Sequence, residues 1–455
     1  MLVQIQPIAA YQHTAAIRDF VARVIKAHPA VSGWSRDPAP GRLVVVKPNW
    51  IQEAHEFKPD TWEPVITHPE VVLAVIETLA ECLGGVGTIS VCDAPHTYAD
   101  FAVIVARGNL AARLEDVKRR WPSLKLEVLD LRREIWVRCE QVIIERRANA
   151  HDPRGYVRVN LGADSLFHGH RGQGHYYGAD YDVNIVSQHH RAEVQEYLLA
   201  GTPMTCDLFV NLPKLKTHKK TGITCCLKNL VGINGDKNWL PHYTLGTPRL
   251  GGDEFPDTSL AHELEHYLKR MGQRLAVAVP GLGPWLYRKL RQVGQGVLGD
   301  SRRSLRNGDW QGNDTCWRMV LDLNRAFLYG RADSGWREPG RPRDYLAIVD
   351  GIVGGEGNGP ICPDAVPSGL LLSGMNPAAV DAVACRLMGF DPEDLPMVRE
   401  AFAPHGWPIA DMPLGALRAW DGRLGQEVSL SELMPAIPGG FKPPLGWKEL
   451  SNSCM

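Results

Sequence analysis

Apolar and polar positions fall along this chain in blocks that switch between the strand period and the helix period. Arg42 to Trp50 (RLVVVKPNW) is a continuous β-branched run and predicts a strand buried on both faces, with Lys47 and Asn49 at its tip. From Thr67 the apolar positions Val71, Val72, Val75, Leu79, Cys82 and Leu83 recur at helical spacing until Gly84 and Gly85 stop them. Thr67 is the expected N-cap of this helix, Pro69 suits its first turn, and Glu70 would complete a capping box. A strand at Thr88 to Cys92 then delivers Asp93 and His96. Strand, helix and strand in this order predict a βαβ crossover of a parallel sheet, with the polar tips on one edge.

The alternation continues with a helix expected around Ala102 to Arg120 and a strand at Leu126 to Leu131. From Cys139 to His190 it breaks down into a segment rich in Arg, His, Gly and Tyr. His168, His170 and His175 lie there in the run FHGHRGQGHYYG, whose HxH spacing suits a metal if the run is extended and a glycine-hinged loop if it is not. His189 and His190 are expected to open a helix that reaches Leu199.

The densest chemistry lies between Asp207 and Lys237, DLFVNLPKLKTHKKTGITCCLKNLVGINGDK. Leu208, Phe209 and Val210 predict a buried strand, and Lys214, Lys216 and His218 follow at a spacing that puts all three on one face of a strand. Leu212 and Leu215 supply a buried opposite face, so the lysines read as the wall of a cationic pocket; a solvated loop is the alternative. Beyond Lys237 the polar stretch through His242 to Gly251, Gly252, Asp253, Glu254, Phe255 and Pro256 is expected to fold back as loop over this cationic edge.

Further on, Leu275 to Leu298 pairs an apolar first half with Trp285, Tyr287, Arg288 and Lys289. Its glycines and prolines predict a helical hairpin, and its composition also suits a membrane-surface element. A helix follows from Gly312, with Asn313 or Asp314 near its cap. Tyr345 to Asp350 predicts a strand that enters a glycine-rich loop containing Glu356 and Asn358, neither a dinucleotide fingerprint nor a Walker loop. A strand at Gly369 to Ser373 and a helix from Pro377 close the pattern, and Asp381 near that helix start offsets its dipole.

The fold class expected is therefore α/β: a mainly parallel sheet flanked by helices, with a large loop and helix insertion and a second α/β lobe at the C-terminal end. The expected segments are an N-terminal α/β lobe (1–135), a central segment with the lysine-rich motif (136–244), the insertion (245–340) and the C-terminal lobe (341–455). At 455 residues there is ample chain for a large core. Lys and Arg (50) balance Asp and Glu (51), so nothing draws the whole molecule to nucleic acid, and any anion binding must be local. There is no leader pattern and no long apolar run, so a soluble cytoplasmic protein is expected. Ten cysteines occur without a CxxC pair, so no iron-sulfur motif is encoded locally, and adjacent Cys225 and Cys226 read as packing residues.

These residues support an enzyme acting on a small anionic metabolite, a carboxylate or a phosphate. Lys47, Lys214, Lys216 and Lys228 would hold the anion and stabilise developing charge, with Asn49, Asn229 and Asn234 orienting it. Lys214, Lys216, His218, Asp93 and His96 are the candidates for catalysis, because clustered cations bring a lysine pKa toward neutrality. Asp236, Asp253, Glu254, Asp350 and Glu356 are the candidate carboxylates for Mg²⁺ or another divalent metal. Two other readings stand beside this one. The first is a non-catalytic binding or assembly protein resting on a membrane through the Trp285 region; the second is an iron-sulfur redox protein in which four dispersed cysteines converge.

Lys47-Pro48-Asn49, LPKLKTHKKTGITCCLKNLVGINGDK, GGDEFP, GNDTCWRMVLDLNR, VDGIVGGEGNGP and NPAAVDAVACRLMGF occur in this order, and together they resemble the DUF362 family from Arg42 to about Ala403. The resemblance implies that the polar blocks belong to one domain plan. Some members of that family carry an added ferredoxin-like cysteine cluster, which implies a redox connection; this chain departs from that subtype.

Overall fold

The computed structural model describes residues 2–139, 142–279, 282–289 and 305–447. Twelve strands form one sheet. In chain order they are β1 (Leu2–Pro7), β2 (Leu43–Pro48), β3 (Gly87–Asp93), β4 (Leu124–Asp130), β5 (Leu208–Leu212), β6 (Lys214–His218), β7 (Gly222–Thr224), β8 (Tyr345–Glu356), β9 (Asp364–Val366), β10 (Leu370–Gly374), β11 (Arg418–Asp421) and β12 (Gln426–Ser429). Across the sheet the order is β12-β11-β1-β10-β8-β5-β2-β3-β4, and β6, β7 and β9 extend the end of β8. The five strands β8, β5, β2, β3 and β4 are mutually parallel, and β10 turns antiparallel against β8.

The reason for a buried parallel centre is visible in β2. Val44 and Val46 face one core, Leu43 and Val45 the other, so the strand has no face left for water. The helices α1 (Thr14–Lys26), α2 (Pro69–Cys82) and α3 (Leu110–Arg120) cover the first face; two later ones, which follow α4 (Leu260–Ala278), cover the second: α5 (Cys316–Tyr329) and α6 (Pro377–Met388). Strands from 1–135, 136–244 and 341–455 all enter the same sheet, while the described residues of 245–340 contribute α4 and α5 to its surroundings.

Several local expectations change for physical reasons. The cap of α2 is His68, whose Nδ1 accepts from Glu70 N, because the Thr67 hydroxyl is engaged between Asn49 N and Leu212 O; Glu70 pairs with Arg113 instead of closing a capping box. The helix expected over 102–120 breaks at Gly108 (φ 56°), where any Cβ would lie 2.8 Å from the Pro69 ring at the start of α2. His189 ends a helix (Val183–His189) instead of opening one, and Val194–Ala200 is a strand held antiparallel against Tyr156–Asn160; pairing overrides helical propensity there. The strand β8 does not stop at Asp350 but runs through the glycines to Glu356, because β6 and β9 pair with its second half. Of the stretch expected to form a hairpin at 275–298, α4 ends at Ala278, and 290–298 lie outside the described residues. No described helix is long and apolar enough to cross a membrane.

Candidate functional site

The parallel strands deliver their polar tips side by side. In register, Lys47 of β2 lies against Asn211 of β5, and Asp93 ends β3 next to Asp130 of β4. Lys47 Nζ is 2.8 Å from Asp93 Oδ1 and donates to Pro48 O (2.7 Å) and Asn229 Oδ1 (3.2 Å). The second Asp93 oxygen accepts from Trp50 N at 2.7 Å. A chain of amides fixes the geometry: Asn49 Nδ2 donates to Asn229 Oδ1 (2.9 Å), and Asn229 Nδ2 to Asn211 Oδ1 (2.7 Å). Gly232 closes over the pair so tightly that a Cβ there would lie 1.9 Å from Asp93 Oδ1 and 2.6 Å from Lys47 Nζ.

Lys214 and Lys216 meet different surroundings. Lys214 Nζ lies 2.9 Å from Asp350 Oδ2 and 2.8 Å from the Tyr11 hydroxyl, which itself donates to Asp350 Oδ1 at 2.8 Å. All three groups are buried, and Tyr11 stacks on His68 with ring centroids 3.5 Å apart. Lys216 Nζ donates to Val65 O, and no carboxylate among the described residues pairs with it. The divergence has a backbone cause: pairing with β8 jumps from Lys214–Asp350 to Lys216–Gly355, a bulge between the two lysines.

The excess charge centres on Lys228. It is 8% exposed, and its ammonium meets neither a carboxylate nor a hydrogen-bond acceptor among the described residues. Burial lowers its pKa. Its field in turn reaches Lys216, Lys237, His96, His218 and His242, each of which burial already holds low, with Lys228 adding to the effect. Burial above all, then Arg138 and Lys237, brings His96 to about 3; Lys237 falls to about 7 through burial, although Asp93 opposes the shift. The same region holds buried polar atoms with no hydrogen-bond partner: Asn49 Oδ1, Thr224 Oγ1 beside Lys216 on the β6–β7 hairpin, and Asn234 Nδ2.

His218 and His242 are both held well below the usual imidazole range, by burial first and then by Lys228 and Lys220. Their hydrogen bonds assign opposite tautomers. His218 Nδ1 accepts from Lys220 N at 3.0 Å, which leaves the proton on Nε2; His242 Nδ1 lies 2.8 Å from Leu240 O and must donate, which leaves Nε2 bare. One neutral ring thus offers a proton and the other a lone pair.

The candidate metal carboxylates do not gather. Asp350 is taken by Lys214, Asp253 by Thr315 and the Thr244 and Asp314 amides, Glu254 by Lys269 and His266, Glu356 by Lys442, and Asp236 caps Asn238 with Arg133 nearby. Each lies beside a different partner, even where two share an element, as Asp253 and Glu254 share a loop and Asp350 and Glu356 share β8. Among the described residues the one group of metal-capable donors within 4.8 Å of one another is Cys225, Cys226 and Asp381. Asp381 accepts from Cys226 N (2.7 Å) and Leu227 N (3.1 Å), so it caps the turn that carries Lys228 and Asn229 instead of serving only the dipole of α6. Burial pushes the Cys226 thiol up to about 11, so it stays protonated. His170 is 3.3 Å from Asp314 and His168 is 3.9 Å from Glu193, so the HxH pair also splits. Cys454 lies outside the described residues.

Lys47, Asn49, Asp93, Lys216, His218, Lys228 and Asn229 thus share one region of hydrogen bonds and mutual fields, with Lys214 walled off beside them by Asp350. Lys237, His242 and Gly232 join it without having been expected, and Tyr11 joins the Lys214–Asp350 pair beside it. Lys237 and His242 sat in view, at the end of the lysine-rich run and just beyond it; Tyr11 carries no local signal.

Residues 126–386, which include Lys214, Lys216 and Lys228, match a family model described as a domain of unknown function (DUF362). The chain belongs to this family. Among solved structures it is similar to a protein from Thermotoga maritima, at 10% identity and a TM-score of 0.31, covering 78% of this chain and 56% of that one. It is also similar to the lactate racemase apoprotein from Thermoanaerobacterium thermosaccharolyticum, at 9% identity and a TM-score of 0.28, covering 76% and 50%. The chain spans about half the length of these structures, and neither likeness bears on activity. No curated protein matches it.

Proposed function

We propose that this chain is an enzyme that binds a small anionic metabolite, a carboxylate or a phosphate, at the lysine-lined end of the parallel strands. The observation that carries the reading is the pair of lysines Lys216 and Lys228, 0% and 8% exposed, which have no carboxylate partner among the described residues. An uncompensated buried charge costs several kcal/mol, and a bound anion removes that cost. Asn49, Thr224 and Asn234, each with an unpartnered polar atom, would complete the ligand's hydrogen bonds.

The chemistry this supports is proton transfer. His242, with a bare Nε2, takes a proton from the bound molecule and returns one to it after exchange with solvent, while the neutral His218 donates a hydrogen bond from its Nε2–H to the charge that develops. Lys228 and Lys216 stabilise the negative charge that develops between the two events. Asp236, Asp253, Glu254, Asp350 and Glu356 take no part in these steps.

The test is a thermal-shift panel of small carboxylates and phosphates against the full chain. A ligand at about a hundredfold its Kd adds about 2.7 kcal/mol of stability. The ligand found should exchange hydrogen with solvent deuterium in the presence of the protein, and His242→Gln should abolish exchange while binding survives. If no anion in the panel raises the melting temperature, the reading fails.

A further inference from the structure

The helix α4 is amphipathic in the reverse of the usual sense. Its side toward the protein carries Lys269, which bonds to Glu254 and to Asn307 Oδ1 (2.7 Å), His266 at 3.0 Å from Glu254, and buried Gln273. Its outer side carries Leu260, Leu264, Tyr267, Leu268 and Met271, between 46% and 81% exposed. These positions recur three and four residues apart, so they form one stripe along the helix. Trp285 and Leu282, from residues 282–289, extend the patch at 51% and 55% exposure. That second segment packs closely on the first: Gly272 admits the Tyr287 ring and Gly283 sits against Leu275 O and Ala276. A contiguous apolar surface of this kind marks an interaction site.

The charges around the stripe indicate what covers it. Both acids on the helix are neutralised from within the protein, Glu263 by Arg249 at 3.8 Å and Glu265 by Arg306 at 3.1 Å. The cations at the border, Arg274 and Lys289, have no carboxylate partner among the described residues and are exposed. Arg270 and Arg274 also line a groove beside the stripe, with Tyr181, Asn184 and the helix-capping Asp182 on its far wall. An apolar stripe with aromatic residues and a cationic border suits an anionic bilayer surface, where the side chains enter the interface and the cations meet lipid phosphates. A second copy of the chain would meet the same cations and gain no such complement.

We infer that α4 and residues 282–289 form a docking surface for anionic lipid membranes, on a different side chain set from the anion site. The test is co-sedimentation of the full chain with phosphatidylcholine vesicles, with and without phosphatidylglycerol as about a third of the lipid. Binding is expected only with the anionic vesicles and should weaken with salt. Leu264→Glu combined with Met271→Glu should abolish it; Arg274→Gln and Lys289→Gln should each weaken it about fivefold, the effect of one cation at such a surface. Unchanged melting temperature and unchanged anion-induced thermal shift in these variants confirm that the fold and the buried site are intact. Failure of the wild-type chain to sediment with anionic vesicles overturns the inference. So does a dimer in light scattering that the double variant converts to monomer while vesicle binding persists, because the stripe would then belong to a second copy.

Discussion

Lys214 and Lys216 sit two residues apart on β6, both buried, yet their surroundings are opposed. Lys214 is closed into a triad with Asp350 and Tyr11 in which every strong donor and acceptor has a mate. Lys216 has a single backbone acceptor and, beside its burial, faces the field of Lys214, then of Lys228 and Lys47, against which Asp93 acts. One region is a structural ion pair, which costs little once formed and much to break. The other holds a lysine with no carboxylate mate among the described residues, whose pKa burial draws well below its usual value and whose charge a bound anion would restore. The presence of lysines is therefore a poor guide to a site; the absence of their partners is the better one.

The comparison breaks first at Asp350. Asp350→Ala strands Lys214 in the core and should cost about 3–5 kcal/mol in urea unfolding, the usual penalty for removing one member of a buried pair. Lys228→Met should do the reverse: no loss of stability in anion-free buffer, and a loss of anion affinity of about 1.5–3 kcal/mol, the worth of a charged hydrogen bond. Lys216→Met should resemble Lys228→Met in binding, whereas Lys214→Met should mainly destabilise, so the two lysines of β6 are not matched controls for one another. Gly232→Ala probes the pair between these extremes. Its methyl group would collide with Lys47 and Asp93, and overpacking of this kind costs about 1–3 kcal/mol.

The smallest effect is on pH dependence. Lys237 has a folded pKa of about 7, below its ordinary 10.5, so the folded chain binds fewer protons than the unfolded chain between those values. Without a ligand, its contribution to stability is therefore lost as pH falls from about 10.5 toward 7, and does not fall further below that. A bound anion favours the protonated form, so sulfate affinity should rise as pH falls through 7, by less than about tenfold per unit for one proton. Sulfate keeps its charge over this range, so the titration belongs to the protein. An affinity independent of pH between 6 and 8 would remove Lys237 from the site.

Much of this was legible from strand ends. A β-branched run that stops at Lys47-Pro48-Asn49 places its polar tip wherever the parallel sheet places its carboxyl edge, and the same holds for Asp93 and the lysines after β5. What could not be read was partner choice. Nothing local says that Asp350 neutralises Lys214 and not Lys216, because that depends on a bulge between strands more than a hundred residues apart in the chain. The expected metal carboxylates stand apart among the described residues for the same reason, each being engaged by a cation, an amide or a hydroxyl that only the fold brings near. The tautomers of His218 and His242 likewise depend on backbone groups two residues away whose orientation is set by the turn.

The most direct measurement is the thermal unfolding of the full chain as chloride is exchanged for sulfate at constant ionic strength, in the wild type, Lys228→Met and Lys214→Met. A buried anion site centred on Lys228 predicts a rise in melting temperature with sulfate in the wild type, no rise in Lys228→Met, and a retained rise in Lys214→Met from a lower starting temperature. Equal shifts in wild type and Lys228→Met would contradict it, since the sulfate would then act on the surface and the unpaired lysines would have another explanation.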